Sequence, residues 1–444
     1  MDNIQIEEHD GLFLAYKPSI GALSVLNSLE LMGFKLFTET ENSKEKMIDL
    51  LCQLGATPNY AEERTNELYK RLVVEGWMRK SIPKRAPEVI QSVYFTLTRE
   101  CDLACQYCYQ GLRNRKKKEM PLEDAKATLD KIKKLNPNCH IIITGGEPFM
   151  HPNAFEILDY CESLGLSFGI LCNGTYLDEP TVDKLCTYKY LKRTQISIDG
   201  FTEAVHSITR SKRNYDLVMK AIDLVSEKGL PFLLAPTIHE MNKDEIYDIA
   251  ALAVSKGGWY SPNNLRTFPH DENTFLSLSN DSLLAVTKEV GQKMQANFSR
   301  EVLLKAKMSV ETPNVCSVDS PNSTYICGTG STLLDIDWNG EVYPCHLLKD
   351  RNLILGNIFT QEFSDIYRTV EEKKIRVTSN DIEKCSGCKF TSTCGGGCRA
   401  GAFYAYDSLA REDDLCDVNY VSNLSSTLRS HPNFEKLNIT ALDV

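Results

Sequence analysis

Apolar and polar positions change period twice within the first 80 residues. Gly11-Leu-Phe-Leu-Ala-Tyr16 and Ala22-Leu-Ser-Val-Leu26 predict two short strands joined by a turn at Pro18 and Gly21. Met47, Ile48, Leu50, Leu51 and Leu54 then recur at helical spacing over 43–55, after a capping-type Asn42/Ser43. A second stripe, Leu68, Tyr69, Leu72 and Val73, runs through 60–75 with Asn59 and Glu62 in capping-box positions, and Gly76 and Trp77 end it. Strands plus a helix pair predict a small separate winged helix-turn-helix module over 1–80. Residues 81–89, with Pro83 and Pro87, form a linker.

From 90 to 270 the pattern alternates. Strand-like runs fall at 93–98, 140–144, 168–172, 193–198, 232–237 and 265–268, and helical patterns at 121–135, 153–164, 179–187, 214–228 and 243–255. Regular βα alternation predicts an α/β fold with a parallel sheet and outer helices. Six such units make a partial (β/α)6, TIM-like barrel, whose chemistry sits on loops at the carboxyl ends of the strands. Residues 271–310 are helical and charged and close this 90–310 unit as a bridge. From 311 to 444 the composition shifts, with eight of the sixteen cysteines between 316 and 416.

Composition narrows the classes. The longest apolar runs are strand-length, so no membrane span is expected. The N-terminal Met1-Asp-Asn-Ile-Gln-Ile-Glu-Glu8 lacks the basic and apolar regions of a secretory signal. Sixteen cysteines without export imply a reducing cytoplasm, where clustered thiols bind metal more often than they pair. A net charge of −10 argues against nucleic acid as the main partner. Within 1–80, 13 acidic and 9 basic residues leave −4, whereas a DNA reader needs a basic face. Peptide binding is the better reading of that module. The basic run Arg113–Lys118 reads as a solvated loop, or as a docking patch for an acidic peptide or electron donor.

Candidate chemistry begins at Cys101-Asp-Leu-Ala-Cys105-Gln-Tyr-Cys108, on the loop leaving the first of the alternating strands. Three soft ligands on one loop suit an iron–sulfur cluster, and leave one iron to bind something else. They also suit a zinc loop with a distant fourth ligand, or three unrelated buried thiols. One βα unit later comes Thr144-Gly-Gly-Glu-Pro148, where paired glycines allow close backbone approach and Glu147 offers an acceptor for an ammonium group.

Together these residues resemble the radical S-adenosylmethionine (SAM) superfamily. The resemblance implies that Cys101, Cys105 and Cys108 hold a [4Fe–4S] cluster whose unique iron is chelated by SAM. Tyr107 takes the aromatic position before the third cysteine, and Gly145, Gly146 and Glu147 would hold the methionyl amino group. Asn173 and Asp199, at strand ends, and Ser197 would lie near the ribose. Arg210, in His206-Ser-Ile-Thr-Arg210, would pair with the SAM carboxylate.

Farther on, Cys327-x12-Gly340-x4-Cys345, Cys385-x2-Cys388-x5-Cys394-x3-Cys398 and Cys416 look like a SPASM domain, the radical SAM extension that carries auxiliary [4Fe–4S] clusters. The alternative is a pair of interleaved zinc knuckles. By the resemblance, Cys385, Cys388, Cys394 and Cys416 ligate the outer cluster, and Cys327, Cys345 and Cys398 the inner one. Cys316, 11 positions before Cys327, is the candidate fourth inner ligand; without it the inner cluster keeps an open iron. Cys52, Cys139, Cys161, Cys172 and Cys186 sit in or beside apolar patterns and read as small buried hydrophobes. His346 reads as structural.

The resemblance therefore implies SAM and three [4Fe–4S] clusters, one of them SAM-binding and two auxiliary. It also implies a reductant such as flavodoxin or ferredoxin, and hydrogen abstraction by a SAM-derived radical, with no acid or base assigned. A winged-helix module ahead of such a core resembles the precursor-peptide recognition elements of peptide maturases, which bind a leader peptide as an added strand. The expectation is a cytoplasmic, thioether-forming, sactisynthase-like enzyme that joins a cysteine sulfur to a carbon of a ribosomally made peptide. Carbon–carbon crosslinking, oxidative decarboxylation and anaerobic sulfatase-type maturation fit the same layout. A zinc-structured adaptor for peptide or DNA is the non-enzymatic rival.

Overall fold

A computed structural model describes residues 3–9, 11–79, 89–110, 118–266, 274–306 and 327–429. Cys316, most of the 81–89 linker and Arg113–Lys117 of the basic run lie outside the described residues.

The N-terminal part holds one more strand and one more helix than its pattern predicts. Strands β1 (Gln5–His9), β2 (Leu12–Lys17) and β3 (Ala22–Asn27) form an antiparallel sheet in that order. Helices α1 (Ser28–Glu39), α2 (Ser43–Gln53) and α3 (Pro58–Val74) follow. β1 escapes a periodicity reading because, as an edge strand, it is mostly exposed and carries one apolar residue, Ile6. α1 escapes it because it starts directly after β3. Its cap is Asn27, whose side chain accepts from Leu29 N and Glu30 N while Glu30 accepts from Asn27 N at 2.9 Å.

The caps expected from sequence do not form. Asn42 stands before α2 in a left-handed conformation, φ 54°, without a side-chain cap. Thr57, not Asn59, precedes α3, and Pro58 at the first helical position leaves one donor fewer to satisfy.

The middle of the chain follows the predicted alternation closely. β4 (Ser92–Thr98), β5 (His140–Gly145), β6 (Ser167–Cys172), β7 (Leu191–Ile196) and β8 (Phe232–Leu234) are parallel neighbours in chain order. Helices α4 (Leu122–Leu135), α5 (Ala154–Ser163), α6 (Glu179–Cys186), α7 (Glu203–Thr209) and α8 (Lys212–Glu227) connect them. After β9 (Thr237–Ile238) and α9 (Ile246–Ser255), the sixth parallel strand is β10 (Trp259–Tyr260), earlier than the expected 265–268. β11 (Asn263–Asn264) pairs with β9 instead. Val93, Phe95, Leu97, Ile141, Ile143, Phe168 and Ile170 face the helices in one core, while Thr96, Thr98 and Thr144 are buried on the other face.

Helices α10 (Asn280–Asn297) and α11 (Arg300–Lys305) lead into the cysteine-rich part. There the boundary expected at 310/311 is crossed by the sheet. β12 (Leu333–Ile336) pairs in parallel with β4, from Leu333↔Ser92 to Ile336↔Phe95, and β13 (Glu341–Tyr343) and β14 (Gly356–Asn357) continue antiparallel. The result is one nine-stranded sheet, β10-β8-β7-β6-β5-β4-β12-β13-β14. Helices α12 (Phe363–Glu372), α13 (Thr391–Cys394), α14 (Arg399–Tyr406) and α15 (Cys416–Arg429) complete the described chain. Among the described residues no helix is long and apolar enough to cross a membrane.

Nor is the N-terminal sheet a detached module. One face packs Ala15, Ala22 and Leu26 on Phe34, Leu68 and Leu72 of its own helices. The other packs Leu12, Leu14, Tyr16 and Val25 on Phe390, Leu424 and Leu428.

Candidate functional site

The loop 101–108 leaves β4 at its carboxyl end, and the glycine pair at the end of β5 lies directly beneath it. Gly146 N donates to Thr98 O and Glu147 N to Glu100 O, both at 2.8 Å. A Cβ on Gly145, at φ 153°, would run into the Thr98 carbonyl, and one on Gly146 into that of Glu100. These glycines are demanded by backbone-to-backbone packing of the β5 end against the root of the thiol loop.

Glu147 turns inward and is fully buried. Its carboxylate accepts from Asn173 N at 2.7 Å and Phe149 N at 3.3 Å, tying the β5 end to the β6 end. Burial pushes its pKa up to about 8, against these two N–H donors and with Asp102 nearby. Asn173 in turn donates from Nδ2 to Asp102 Oδ1 at 2.7 Å and lies 3.9 Å from Cys101 Sγ.

Two of the residues expected at SAM, Asp199 and Arg210, share one network with Tyr107. Asp199, with no exposed surface, pairs with Arg210 Nε at 2.6 Å and accepts from the Tyr107 hydroxyl, Thr209 Oγ1 (3.1 Å) and Thr237 N (3.0 Å). Arg210 Nη2 donates to Tyr107 Oη at 2.7 Å, and Nη1 reaches 3.8 Å from Cys105 Sγ. Burial works against the Asp199 charge, yet Arg210 and Tyr107 hold its carboxyl below the usual range. Ser197 lies just past β7, half-buried, its N–H donating to Cys172 O at 3.1 Å. Cys101, Cys105, Cys108, Tyr107, Asn173, Asp199 and Arg210 are thus brought together. Glu147 and Gly145–Gly146 support them from below, through Asn173 and the loop root.

The donor set fits a cluster that keeps an iron for a ligand. Burial pushes the Cys101 thiol up to about 12 and the Cys105 thiol to about 11. A bound cation would favour the thiolates against this burial. N–H groups of Leu103, Asn173 and Arg210 lie 3.4, 3.9 and 3.8 Å from the sulfurs, where such donors would tune the potential of a bound cluster. Among the described residues no three His, Cys, Asp or Glu side chains close round a single ion. The buried, near-neutral Glu147 is a carboxyl that an incoming ammonium group would hold charged.

The C-terminal thiols separate into two groups. Beyond burial, Cys327 and Cys398 help push the Cys345 thiol well up. Cys327 also acts on Cys398 in the same direction. Cys388 and Cys416 push up Cys385, while Cys385 and Cys416 push up Cys394. Asp413 braces the loop between the groups: its Oδ2 accepts from Cys398 N at 2.9 Å and its Oδ1 pairs with Arg266 at 2.7 Å.

A buried charged cluster went unpredicted. Asp335 pairs with Lys349 at 3.0 Å, Lys349 with Asp337 at 3.4 Å, and Asp337 with Arg99. Tyr109 lies beside it, close enough to Cys108, Cys345 and Asp335 for their charges to add to burial in raising its hydroxyl pKa. His346, 3.6 Å from Cys345, stacks on Tyr94 at 3.9 Å. The signal available was Asp335-x-Asp337, acidic residues two apart in a strand-like run. Of the five remaining cysteines, Cys139, Cys161 and Cys172 are buried as expected and Cys52 half-buried. Cys186, beyond the apolar face of α6, is exposed.

Residues 95–253 match the Radical SAM superfamily, and residues 327–389 match SPASM, an iron–sulfur cluster-binding domain. The chain is 23% identical over 329 residues to mycofactocin maturase MftC of Mycolicibacterium smegmatis, covering 72% of this chain and 81% of that protein. It is 28% identical over 308 residues to AlbA, the antilisterial bacteriocin subtilosin biosynthesis protein of Bacillus subtilis, covering 68% and 66%. An AdoMet-dependent heme synthase of Nitratidesulfovibrio vulgaris is 26% identical over 352 residues, covering 73% and 91%. The crystal structure of Streptococcus suis SuiB bound to precursor peptide SuiA shares the fold, with TM-score 0.60 and 16% identity over 94% of this chain and 99% of that one.

Proposed function

The chain being a radical SAM enzyme with a SPASM domain, we propose that it matures a ribosomally made precursor peptide by closing an intramolecular thioether from a cysteine sulfur to carbon. The observation that carries this reading is the joint presence of the Cys101–Cys108 loop, two separate groups of C-terminal thiols and an edged N-terminal sheet in one molecule. Cys101, Cys105 and Cys108 would hold the SAM-binding cluster. Cys327, Cys345 and Cys398, with or without Cys316, would hold an inner auxiliary cluster, and Cys385, Cys388, Cys394 and Cys416 an outer one. When bound, SAM and its cluster supply a one-electron cleavage that yields a hydrogen-abstracting carbon radical.

This chain's own residues do the positioning. The Asp199–Arg210–Tyr107 network locks the thiol loop to the ends of β7 and α7 and presents a guanidinium at Cys105. Gly145 and Gly146 seat that loop on β5. The described sheet is read as a wall of a partial barrel, and residues 1–80 as a winged-helix recognition element to which a leader peptide adds as a strand at a sheet edge. The C-terminal thiols would hold auxiliary clusters, which would supply the one-electron acceptor that a net oxidation needs.

The heme synthase relative supports a second reading, in which the chain acts in AdoMet-dependent heme synthesis rather than on a peptide. Anaerobic incubation of the iron-loaded enzyme with SAM, a reductant and the peptide encoded beside it separates the readings by product mass. Loss of two hydrogens with one thiol consumed is the expected result. The same mass loss with every thiol retained would place the bond between carbons, and an unmodified peptide would overturn the peptide reading. Cys316→Ala should lower iron content or alter the auxiliary-cluster spectrum; unchanged iron and spectra would assign the inner cluster an open iron.

A further inference from the structure

Lys389 follows Cys388 directly, yet its side chain is only 4% exposed. A buried ammonium is costly unless it is paired and surrounded by groups that favour it. Three aromatic faces surround this one, with ring centroids at 5.7 Å (Tyr16), 5.6 Å (Phe390) and 5.2 Å (Tyr420) from Nζ. Its counter-charge comes from far away in sequence. Glu7, on β1, pairs with Lys389 and also accepts from the Tyr16 hydroxyl at 2.7 Å, with His9 Nε2 3.5 Å away. Tyr16 is itself near enough to Cys388 for the two to interact. Lys384, by contrast, interacts with Cys416 and is paired within the C-terminal part itself, with Asp417 at 3.3 Å. The cation that follows Cys388 in sequence is thus neutralised by the N-terminal sheet.

We propose that Glu7 and Lys389 form a tuning pair for the outer thiol group, so that the N-terminal sheet sets the charge at Cys388 as well as receiving peptide. The inference rests on the reading that Cys385, Cys388, Cys394 and Cys416 hold a cluster. A cluster's potential follows the net charge near its sulfurs. Removing the Glu7 charge leaves Lys389 uncompensated and favours the reduced cluster; removing the Lys389 charge leaves Glu7 and favours the oxidised one.

The test is an anaerobic redox titration of the iron-loaded full chain, followed by electron paramagnetic resonance. Glu7→Gln is expected to move one auxiliary midpoint to more positive potential and Lys389→Met to move the same midpoint to more negative potential. A shift that changes the oxidised-to-reduced ratio tenfold at fixed potential corresponds to about 59 mV for one electron. The double variant should return close to the parent, an outcome that mere loosening of the fold would not produce. Lys389→Arg keeps the charge and should hold the parent potential, while Lys389→Gln, also neutral, replaces Lys389→Met if the methionine variant does not fold. Full iron with unmoved midpoints in Glu7→Gln and its partner variant would overturn the coupling. Retention of all iron and of the parent spectrum in Cys388→Ser would overturn the outer-cluster reading itself.

Discussion

Glu147 shows how far the behaviour of a single carboxyl depends on what encloses it. Read along the chain it is an acceptor after two glycines; in the fold it is sealed beneath the thiol loop with two N–H donors. Because burial lifts its pKa from 4.5 to about 8, the native state keeps a proton that the unfolded chain has already released across that window. Stability therefore falls as pH rises from about 4.5 to about 8, with a slope of up to about 1.4 kcal/mol per unit from this group. Glu147→Gln retains an oxygen for Asn173 N–H and should flatten that slope, as urea melts at pH 5.5 and 7.5 would measure, those two pH values being roughly inside the window. Asp199 presents the opposite case, a buried charge kept by a buried partner. Asp199→Ala would strand Arg210 without a counter-ion and should cost about 3–5 kcal/mol, read as a lowered urea midpoint. Cysteine spacing, by contrast, needs no fold to be read at this scale, because thiols on one short loop cannot move far apart.

At the scale of elements, strands and helices with one wet and one dry face were legible, and those without such a contrast were not. β4 to β8 and their helices alternate clearly, since each hides one face in a shared core. β1 has little to hide, and α1 starts where β3 ends, so neither announces itself by period. Short β10 and β11 are defined by their pairing partners more than by their own residues. The Gly145–Gly146 turn joins two elements whose backbones touch, and this is where a single methyl group should matter most. Gly146→Ala would push a Cβ against the Glu100 carbonyl and displace the root of the thiol loop. Overpacking of this kind costs about 1–3 kcal/mol. The expected outcome is loss of iron bound through Cys101, Cys105 and Cys108, checked by iron analysis of a variant whose C-terminal cysteines are also replaced.

For the whole molecule, the seam between its parts is the main departure from the linear reading. The N-terminal sheet covers Phe390, Leu424 and Leu428, and β12 extends the parallel sheet from the far side of the expected boundary. Removing residues 1–80 would therefore expose an apolar face next to Cys388 and Cys394. Lower auxiliary iron and aggregation are expected, as well as loss of peptide modification, measured by iron content and light scattering. Leu14→Ala, a smaller cut at the same seam, should cost about 2–5 kcal/mol and lower the melting temperature.

By itself the sequence determined the kinds of chemistry available. It held the three-thiol loop, the glycine pair beside it, the seven later thiols and the α/β alternation, all local features written in spacing and period. Only the tertiary structure decided which charges meet. Asp199 with Arg210, Asp335 with Lys349 and Glu7 with Lys389 are pairs made by sheet register and by the packing of distant faces, over separations that no local pattern records.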